Sequence, residues 1–157
     1  MKHIDMRNEY MFSNVHAFSK QATCNRGRVA CLFTNYRGDI LSYGAASSPA
    51  GCPSCDEAGH LLVNGHCVRT IHAEQKALAR AARYGISLEE STLYVSMTPC
   101  PTCAKSLIEA GIEKVVCEFH YKDKSQEEAA LELFRCAGIE VSFAHDWECT
   151  YDAGTEV

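Results

Sequence analysis

The chain has 157 residues, of which 46% are hydrophobic and 22% charged, with a formal net charge of −5. This length and composition predict one compact, soluble domain over residues 1–157. No apolar run approaches the roughly 20 residues that a membrane span needs, and the polar N-terminus does not resemble a secretory signal. We therefore expect a cytoplasmic protein without a membrane partner.

The negative charge argues against a nucleic-acid polymer as partner. Proteins that bind nucleic-acid backbones gain much of their affinity by neutralising phosphates, and this chain has no stripe rich in Lys and Arg. A mononucleotide needs only one or two well-placed cations. The sequence therefore favours a small-molecule substrate.

Helices and strands are predicted to alternate along the chain. A helix over 6–21 is followed by a hairpin with strands 29–34 and 39–43. Residues 44–66, rich in Gly, Ser, Pro and Cys, predict a long loop that is functional or held by a metal. The later elements are helix 71–84, strand 92–96, helix 99–110, strand 113–117, helix 125–137 and strand 139–143. This order predicts an α/β fold, a mixed sheet with helices on both faces.

The start of the helix over 71–84 contains one candidate metal ligand and one candidate acid–base group. Thr70 is predicted to cap this helix, which places His72 and Glu74 near its first turn. Residues two apart do not share a helix face. A site that uses both side chains must therefore lie off the end of the helix.

The start of the helix over 99–110 contains two candidate thiolate ligands. Thr98 is predicted to cap it and Pro99 to occupy its first position, so Cys100 and Cys103 lie three apart on one face. The positive end of the helix dipole favours both thiolates. Alone, Cys-x-x-Cys also fits a redox pair or half of a structural zinc site.

Taken together, the two helix starts predict a catalytic zinc centre. One His and two Cys give three protein ligands, which leaves a fourth position open for water, as in catalytic sites. Zinc lowers the pKa of bound water to about 7. Glu74, which is not a ligand, is suited to transfer the protons.

The order His-x-Glu followed by Pro-Cys-x-x-Cys is the signature of zinc-dependent deaminases. The sequence resembles the deoxycytidylate (dCMP) deaminase family of the cytidine deaminase superfamily, bacterial and phage type, from about 10 to 143. The segments that carry the resemblance are 23–26, 29–33, 64–74, 93–95, 99–105, 110–112 and 114–116.

The resemblance implies a three-layer α/β/α fold with a mixed five-stranded sheet, and hydrolysis of dCMP to dUMP and ammonia. It implies a homo-oligomer, often a hexamer. It also implies regulation by dCTP and dTTP, with Mg²⁺ accompanying a nucleotide effector. The expected substrate-binding residues are Arg26 and Arg28, which lie near the motifs and suit phosphate contact, Tyr121, which follows a strand end, and Ala73, Thr98 and Pro99 beside the metal motifs.

A second, structural zinc is also implied by the resemblance, near the long loop. The preferred ligands are Cys24, Cys55 and His66, with a fourth from Cys52, His60 or Cys67. Four such ligands would close a tetrahedral site and hold a segment that has little apolar content.

One position departs from the family pattern. Similar members carry Gly-Tyr-Asn-Gly where this chain has Gly-Ala-Ala-Ser, so Ala46 stands in place of an Asn expected to contact the sugar. Asn35 or Ser47 would have to compensate. Two alternatives therefore stay open: a deaminase of a nucleoside, a modified pyrimidine nucleotide or a purine base, and a non-catalytic zinc protein that senses nucleotides.

Overall fold

The computed structural model describes residues 5–25 and 27–144. Five helices and seven strands occur in these ranges, and none of the helices is both long and apolar enough to cross a membrane. The helices are α1 Met6–Ser19, α2 Cys55–Ala58, α3 Ala73–Tyr84, α4 Pro101–Glu109 and α5 Lys124–Cys136. The strands are β1 Ala30–Thr34, β2 Ile40–Ala45, β3 Leu62–Val63, β4 His66–Cys67, β5 Thr92–Met97, β6 Lys114–Phe119 and β7 Glu140–Phe143.

Five of the strands form one mixed sheet in the order β2-β1-β5-β6-β7. Strand β1 runs antiparallel to β2 and β5, whereas β5, β6 and β7 are parallel to one another. Strands β3 and β4 form a separate small hairpin. The predicted mixed five-stranded sheet is confirmed.

Helices cover both faces of the sheet and make three layers. On one face α1 packs through Met11, Phe12 and Val15. On the other face α3, α4 and α5 pack around a core that includes Phe33 and Leu107. The predicted α/β/α arrangement is confirmed, with a single helix forming the thinner outer layer.

Both helices that carry the candidate ligands begin later than predicted. Helix α3 has His72 as its N-cap and α4 has Cys100, so the predicted caps Thr70 and Thr98 are wrong. Pro101, not Pro99, occupies the first position of α4. The Cys103 N–H donates to Cys100 Sγ at 3.5 Å, so a thiol replaces a threonine hydroxyl as the cap.

The long predicted loop contains more regular structure than expected. Helix α2 and strand β3 lie within residues 44–66, and Ser54 caps α2 through a capping box with Glu57. The segment is therefore folded back as a helix and a hairpin, which brings its Cys and His residues together.

Candidate active site and metal centre

His72, Cys100 and Cys103 meet where the N-termini of α3 and α4 face each other. His72 Nδ1 lies 3.6 Å from Cys100 Sγ and 3.4 Å from Cys103 Sγ. Zinc–ligand bond lengths and tetrahedral angles imply separations of about 3.5–3.8 Å between such atoms. The donor atoms and their spacing therefore fit zinc, with a fourth position left for a non-protein ligand.

The electrostatics of the group favour a metal cation. Hydrogen bonds with Cys103 and His72 lower the pKa of Cys100 to about 4, whereas the bond to Cys100 and burial raise the pKa of Cys103. The bond to Cys100 also raises the pKa of His72. The group thus holds one thiolate at neutral pH, and a bound zinc ion would take the place of the remaining protons.

Glu74 lies in the first turn of α3 and is only 4% exposed. Burial raises the pKa of its carboxyl group, because a carboxylate is poorly solvated there. A raised pKa makes this carboxyl group a better proton acceptor than an exposed glutamate, which suits a group that takes up and returns a proton. Its position beside His72 matches the acid–base role that the sequence predicts.

A cavity of about 310 Å³ opens over these residues. This volume lies in the range of small-molecule sites. Its polar wall includes His66, Thr70, Thr98 and Tyr121, and its apolar wall is formed by Val29, Ala46, Ala73 and Met97. His72, Glu74 and Cys100 lie along the same cavity.

A second group of candidate ligands lies beside the cavity. It consists of Cys24, Cys55, His60 and Cys67, whose ligand atoms all lie within 4.8 Å of one another. Cys24 Sγ is 3.7 Å from His60 Nδ1, and Cys55 Sγ is 3.6 Å from Cys67 Sγ. Four Cys and His ligands at these separations fit a closed structural zinc site.

The pKa values of two thiols in this group move in opposite directions. Burial and the hydrogen bond to Cys67 raise the pKa of Cys55 to about 12. Burial also acts to raise the pKa of Cys67, but backbone N–H donors and His60 outweigh it and lower the pKa to about 6. The lowered pKa of Cys67 favours its thiolate form, which is the form that binds metal.

This second group differs from the preferred ligand set. His66 is exposed and lines the cavity, and Cys52 is exposed in the turn before α2, so neither belongs to the group. Successive side chains of a strand point to opposite faces. The side chain of Cys67 in β4 points toward Cys55. The side chain of His66, the preceding residue, therefore points away from this group.

The predicted substrate-binding residues fall into three sets. Ala73, Thr98 and Tyr121 line the cavity. Pro99 is fully buried and Arg28 is exposed, and neither is among the residues that line it. Arg26 lies outside the described residues.

Neither of the two residues proposed to replace the missing amide reaches the cavity. Asn35 lies in the turn between β1 and β2, where its Oδ1 accepts from the N–H groups of Arg37 and Asp39 at 3.0 Å. Ser47 is buried; its hydroxyl donates to Ala45 O at 2.9 Å and accepts from Lys76 Nζ. The cavity wall at Ala46 therefore stays apolar.

Sequence reasoning missed Glu127, on α5. This carboxylate is 5% exposed and accepts a hydrogen bond of 2.7 Å from Thr98 Oγ, a residue of the cavity wall. The one available signal was the spacing of Glu127, Ala130 and Phe134, which follows a buried helix face. That spacing indicates burial of Glu127 and not of its exposed neighbour Glu128, but it gives no sign of a contact with Thr98.

Comparison with known proteins gives concordant results. Residues 5–119 match the family model described as the cytidine and deoxycytidylate deaminase zinc-binding region. The chain is 33% identical over 134 residues to ComE operon protein 2 of Bacillus subtilis (strain 168), covering 85% of this chain and 69% of that protein. It is 32% identical over 162 residues to the deoxycytidylate deaminase of Enterobacteria phage T2, covering 78% of this chain and 84% of that enzyme.

A solved structure agrees with the sequence comparison. The dCMP deaminase of cyanophage S-TIM5, in complex with dCMP and dUMP, superposes with a TM-score of 0.74 at 28% identity. The match covers 91% of this chain and 98% of that one. The protein therefore belongs to the cytidine and deoxycytidylate deaminase family.

Proposed function

We propose that this protein hydrolyses dCMP to dUMP and ammonia. The observation that carries the proposal is the buried carboxyl group of Glu74 beside the His72, Cys100 and Cys103 group, in a cavity of suitable size. The relatives named deoxycytidylate deaminase and the S-TIM5 complex with dCMP and dUMP support this substrate. A buried carboxyl group in this position also argues against a purely sensing role.

His72, Cys100 and Cys103 would hold the catalytic zinc ion. When bound, zinc supplies a Lewis acid that lowers the pKa of water to about 7 and so provides a nucleophile at neutral pH. Glu74 accepts the proton of the attacking water and delivers it to N3 of the ring as oxygen adds at C4. Glu74 then transfers the second water proton to the amine at C4, and ammonia leaves as the C4–N4 bond breaks.

Cys24, Cys55, His60 and Cys67 would hold a second, structural zinc ion. They connect α2 and the β3–β4 hairpin to the segment before β1, and both Cys24 and Cys67 also line the cavity. Since this segment has few buried apolar residues, a metal would supply much of its folding free energy. The thiols of both metal groups must stay reduced, which fits the cytoplasm.

The test is an ammonia-release assay with zinc-loaded protein against dCMP, CMP, deoxycytidine, cytosine and adenosine in parallel. We expect the highest kcat/KM for dCMP. Turnover of another substrate with a higher kcat/KM than dCMP would contradict the proposal and favour a second candidate function.

That second candidate is deamination of a different ring or a modified pyrimidine nucleotide. The apolar wall at Ala46, which neither Asn35 nor Ser47 makes polar, is the observation that favours it. A wall without a polar partner discriminates weakly between substrates that differ in a hydroxyl group.

The variant Ala46→Asn tests whether the cavity wall at this position is suited to dCMP or to a different substrate. If the site is built for dCMP, an added amide that reaches the sugar raises kcat/KM for dCMP by about tenfold, whereas Ala46→Leu, of similar size, lowers it. If both variants lower kcat/KM for dCMP equally, the wall serves a substituent that dCMP lacks.

We further propose a homo-oligomer. The β3–β4 hairpin region exposes four large apolar side chains, and their exposure supports association. They are Leu61, Leu62, Val63 and Val68. Light scattering on the purified protein tests the assembly, and the same assay with added dCTP, dTTP and Mg²⁺ tests the effectors that the resemblance implies.

A further inference from the structure

Three hydrogen-bonding groups converge on one oxygen of a buried carboxylate behind the cavity. Glu127 Oε1, on α5, lies 2.7 Å from Thr98 Oγ, 3.0 Å from the backbone nitrogen of Tyr121 and 3.0 Å from His120 Nδ1. Glu127 belongs to neither metal group and does not line the cavity. Its partners Thr98 and Tyr121 do line it.

These contacts join two loops that shape the site. Thr98 lies between β5 and α4, two residues before Cys100, and Tyr121 lies between β6 and α5. The loops also meet directly, since Thr98 N–H donates to Phe119 O at 3.0 Å. The Thr98 hydroxyl also lies 3.3 Å from Phe119 O, and Glu127 Oε1 adds a buried acceptor that contacts both loops at once.

The third partner is itself fixed in place. The His120 ring stacks on Phe143 of β7, with centroids 4.0 Å apart and an angle of 20° between the ring planes. His120 is therefore held from β7 on one side and by Glu127 on the other. The start of the loop that carries Tyr121 is therefore held by two contacts.

We propose that Glu127 is a positioning residue that sets the cavity wall for substrate. It holds Tyr121 through its backbone N–H and Thr98 through its hydroxyl, so that both face the substrate before it binds. Because Glu127 touches neither the reacting atoms nor the metal ligands, its loss affects substrate binding more than the chemical step. This inference rests on the proposed function.

The chain offers a matched control on the opposite face of the sheet. Glu118, in β6, is buried to a similar extent, at 7% exposure, and also pairs with a histidine, His16 of α1, at 2.7 Å. It packs on the α1 side and does not line the cavity. A general effect of losing a buried carboxylate would therefore appear in both Glu118 and Glu127 variants.

The experiment compares Glu127→Leu, Glu127→Gln and Glu118→Leu with the wild type. It measures kcat and KM for dCMP, zinc content, and deuterium exchange of the Tyr121 amide. We expect Glu127→Leu to raise KM by about tenfold or more, with a smaller change in kcat, unchanged zinc content and faster Tyr121 exchange. Glu127→Gln keeps an acceptor oxygen and should restore KM close to the wild-type value, whereas Glu118→Leu should leave KM and Tyr121 exchange unchanged.

The proposal is overturned if Glu127→Leu keeps the wild-type KM, or if Glu118→Leu raises KM to the same extent. If Glu127→Leu does not fold, Glu127→Asp decides the question, since its shorter side chain withdraws the carboxylate from both loops. An unchanged KM in Glu127→Asp would then overturn it. A wild-type protein inactive on dCMP would contradict the proposed function alone. Unchanged Tyr121 exchange in Glu127→Leu, or in Glu127→Asp if the leucine variant does not fold, would still refute the positioning role.

Discussion

At the scale of single residues, the proposed mechanism assigns proton transfer to the Glu74 side chain. Replacing it with glutamine keeps the size of the side chain but removes its ability to accept a proton. We expect kcat of Glu74→Gln to fall by about 10²–10⁴-fold, with zinc content unchanged. Steady-state ammonia release together with metal analysis measures both, and near-normal turnover would refute the proton-transfer role.

Glu89→Gln is a suitable control for this variant. Glu89 is an exposed glutamate between α3 and β5, outside the cavity wall and both metal groups. Its replacement removes the same charge from the chain. We expect Glu89→Gln to keep the wild-type kcat, so a loss in Glu74→Gln alone is a local effect.

The sequence predicts the grouping of His72, Cys100 and Cys103, which the structure brings together, because the spacing within each motif is local. His72 and Glu74, like Cys100 and Cys103, each lie within four residues at one helix start. The ligands of the second group are spread from Cys24 to Cys67, and no short spacing chooses between His60 and His66. That choice depends on which face of β4 points toward Cys55, which only the folded hairpin determines.

At the scale of secondary-structure elements, the approach of β2 to α3 depends on a glycine. A Cβ atom at Gly44 would lie 2.3 Å from the carbonyl oxygen of Ala73 and 2.8 Å from the backbone nitrogen of Ala77. Since both atoms are backbone, Gly44→Ala forces the helix away from the sheet. We expect it to lower the free energy of unfolding by about 1–3 kcal/mol and to reduce kcat, because α3 carries Glu74.

Urea unfolding and the ammonia-release assay measure the two effects. Gly27→Ala is the control for stability, because a Cβ atom there meets only a Val29 methyl group at 4.0 Å. Equal stability of Gly44→Ala and Gly27→Ala would contradict the close approach.

We expect the proposed second zinc ion to stabilise the fold of the segment around α2 and the β3–β4 hairpin. Removing a buried ligand in Cys55→Ser should release one zinc ion per chain and make this segment sensitive to proteases, because few apolar contacts remain to hold it. Cys52→Ser, three residues earlier but exposed and outside the group, should keep the wild-type zinc content. Metal analysis and limited proteolysis measure the difference, and equal zinc content in the two variants would exclude the second site.

Helix boundaries illustrate what local patterns cannot give. Thr70 and Thr98 are good caps by residue type, yet His72 and Cys100 occupy the cap positions. Cap preferences of single residues amount to about 1 kcal/mol, which tertiary contacts between the two helix ends can outweigh. The later start of both helices matters for the site. As N-cap residues, His72 and Cys100 lie just before their helices, where their side chains can approach each other.

At the scale of the whole molecule, the order of strands decides where these helix ends meet. The alternation of elements predicted the mixed sheet and its helices, but not that β1 would pair with β5. That pairing joins residues about 60 positions apart and depends on packing across the sheet. It places β1 next to β5, which leads into α4, and β2 on the other side of β1, with α3 packed against both β1 and β2.

The charge of the whole molecule predicts how it discriminates between nucleotides and polymers. With 15 Lys and Arg against 20 Asp and Glu, the surface repels a chain of phosphates, whereas a single phosphate needs few cations at the cavity mouth. We expect turnover of dCMP and no detectable deamination of a single-stranded oligonucleotide rich in cytosine. The two substrates are compared at equal cytosine concentration and at two salt concentrations.

The salt series makes the result decisive. If the protein bound polymers through their phosphates, oligonucleotide deamination would appear at low salt and decline steeply as salt rises. Deamination of the oligonucleotide at low salt, at a rate comparable to that of dCMP, would show that a local basic patch overrides the net charge of −5. Its absence at both salt concentrations would limit the substrate to molecules small enough for the cavity of about 310 Å³.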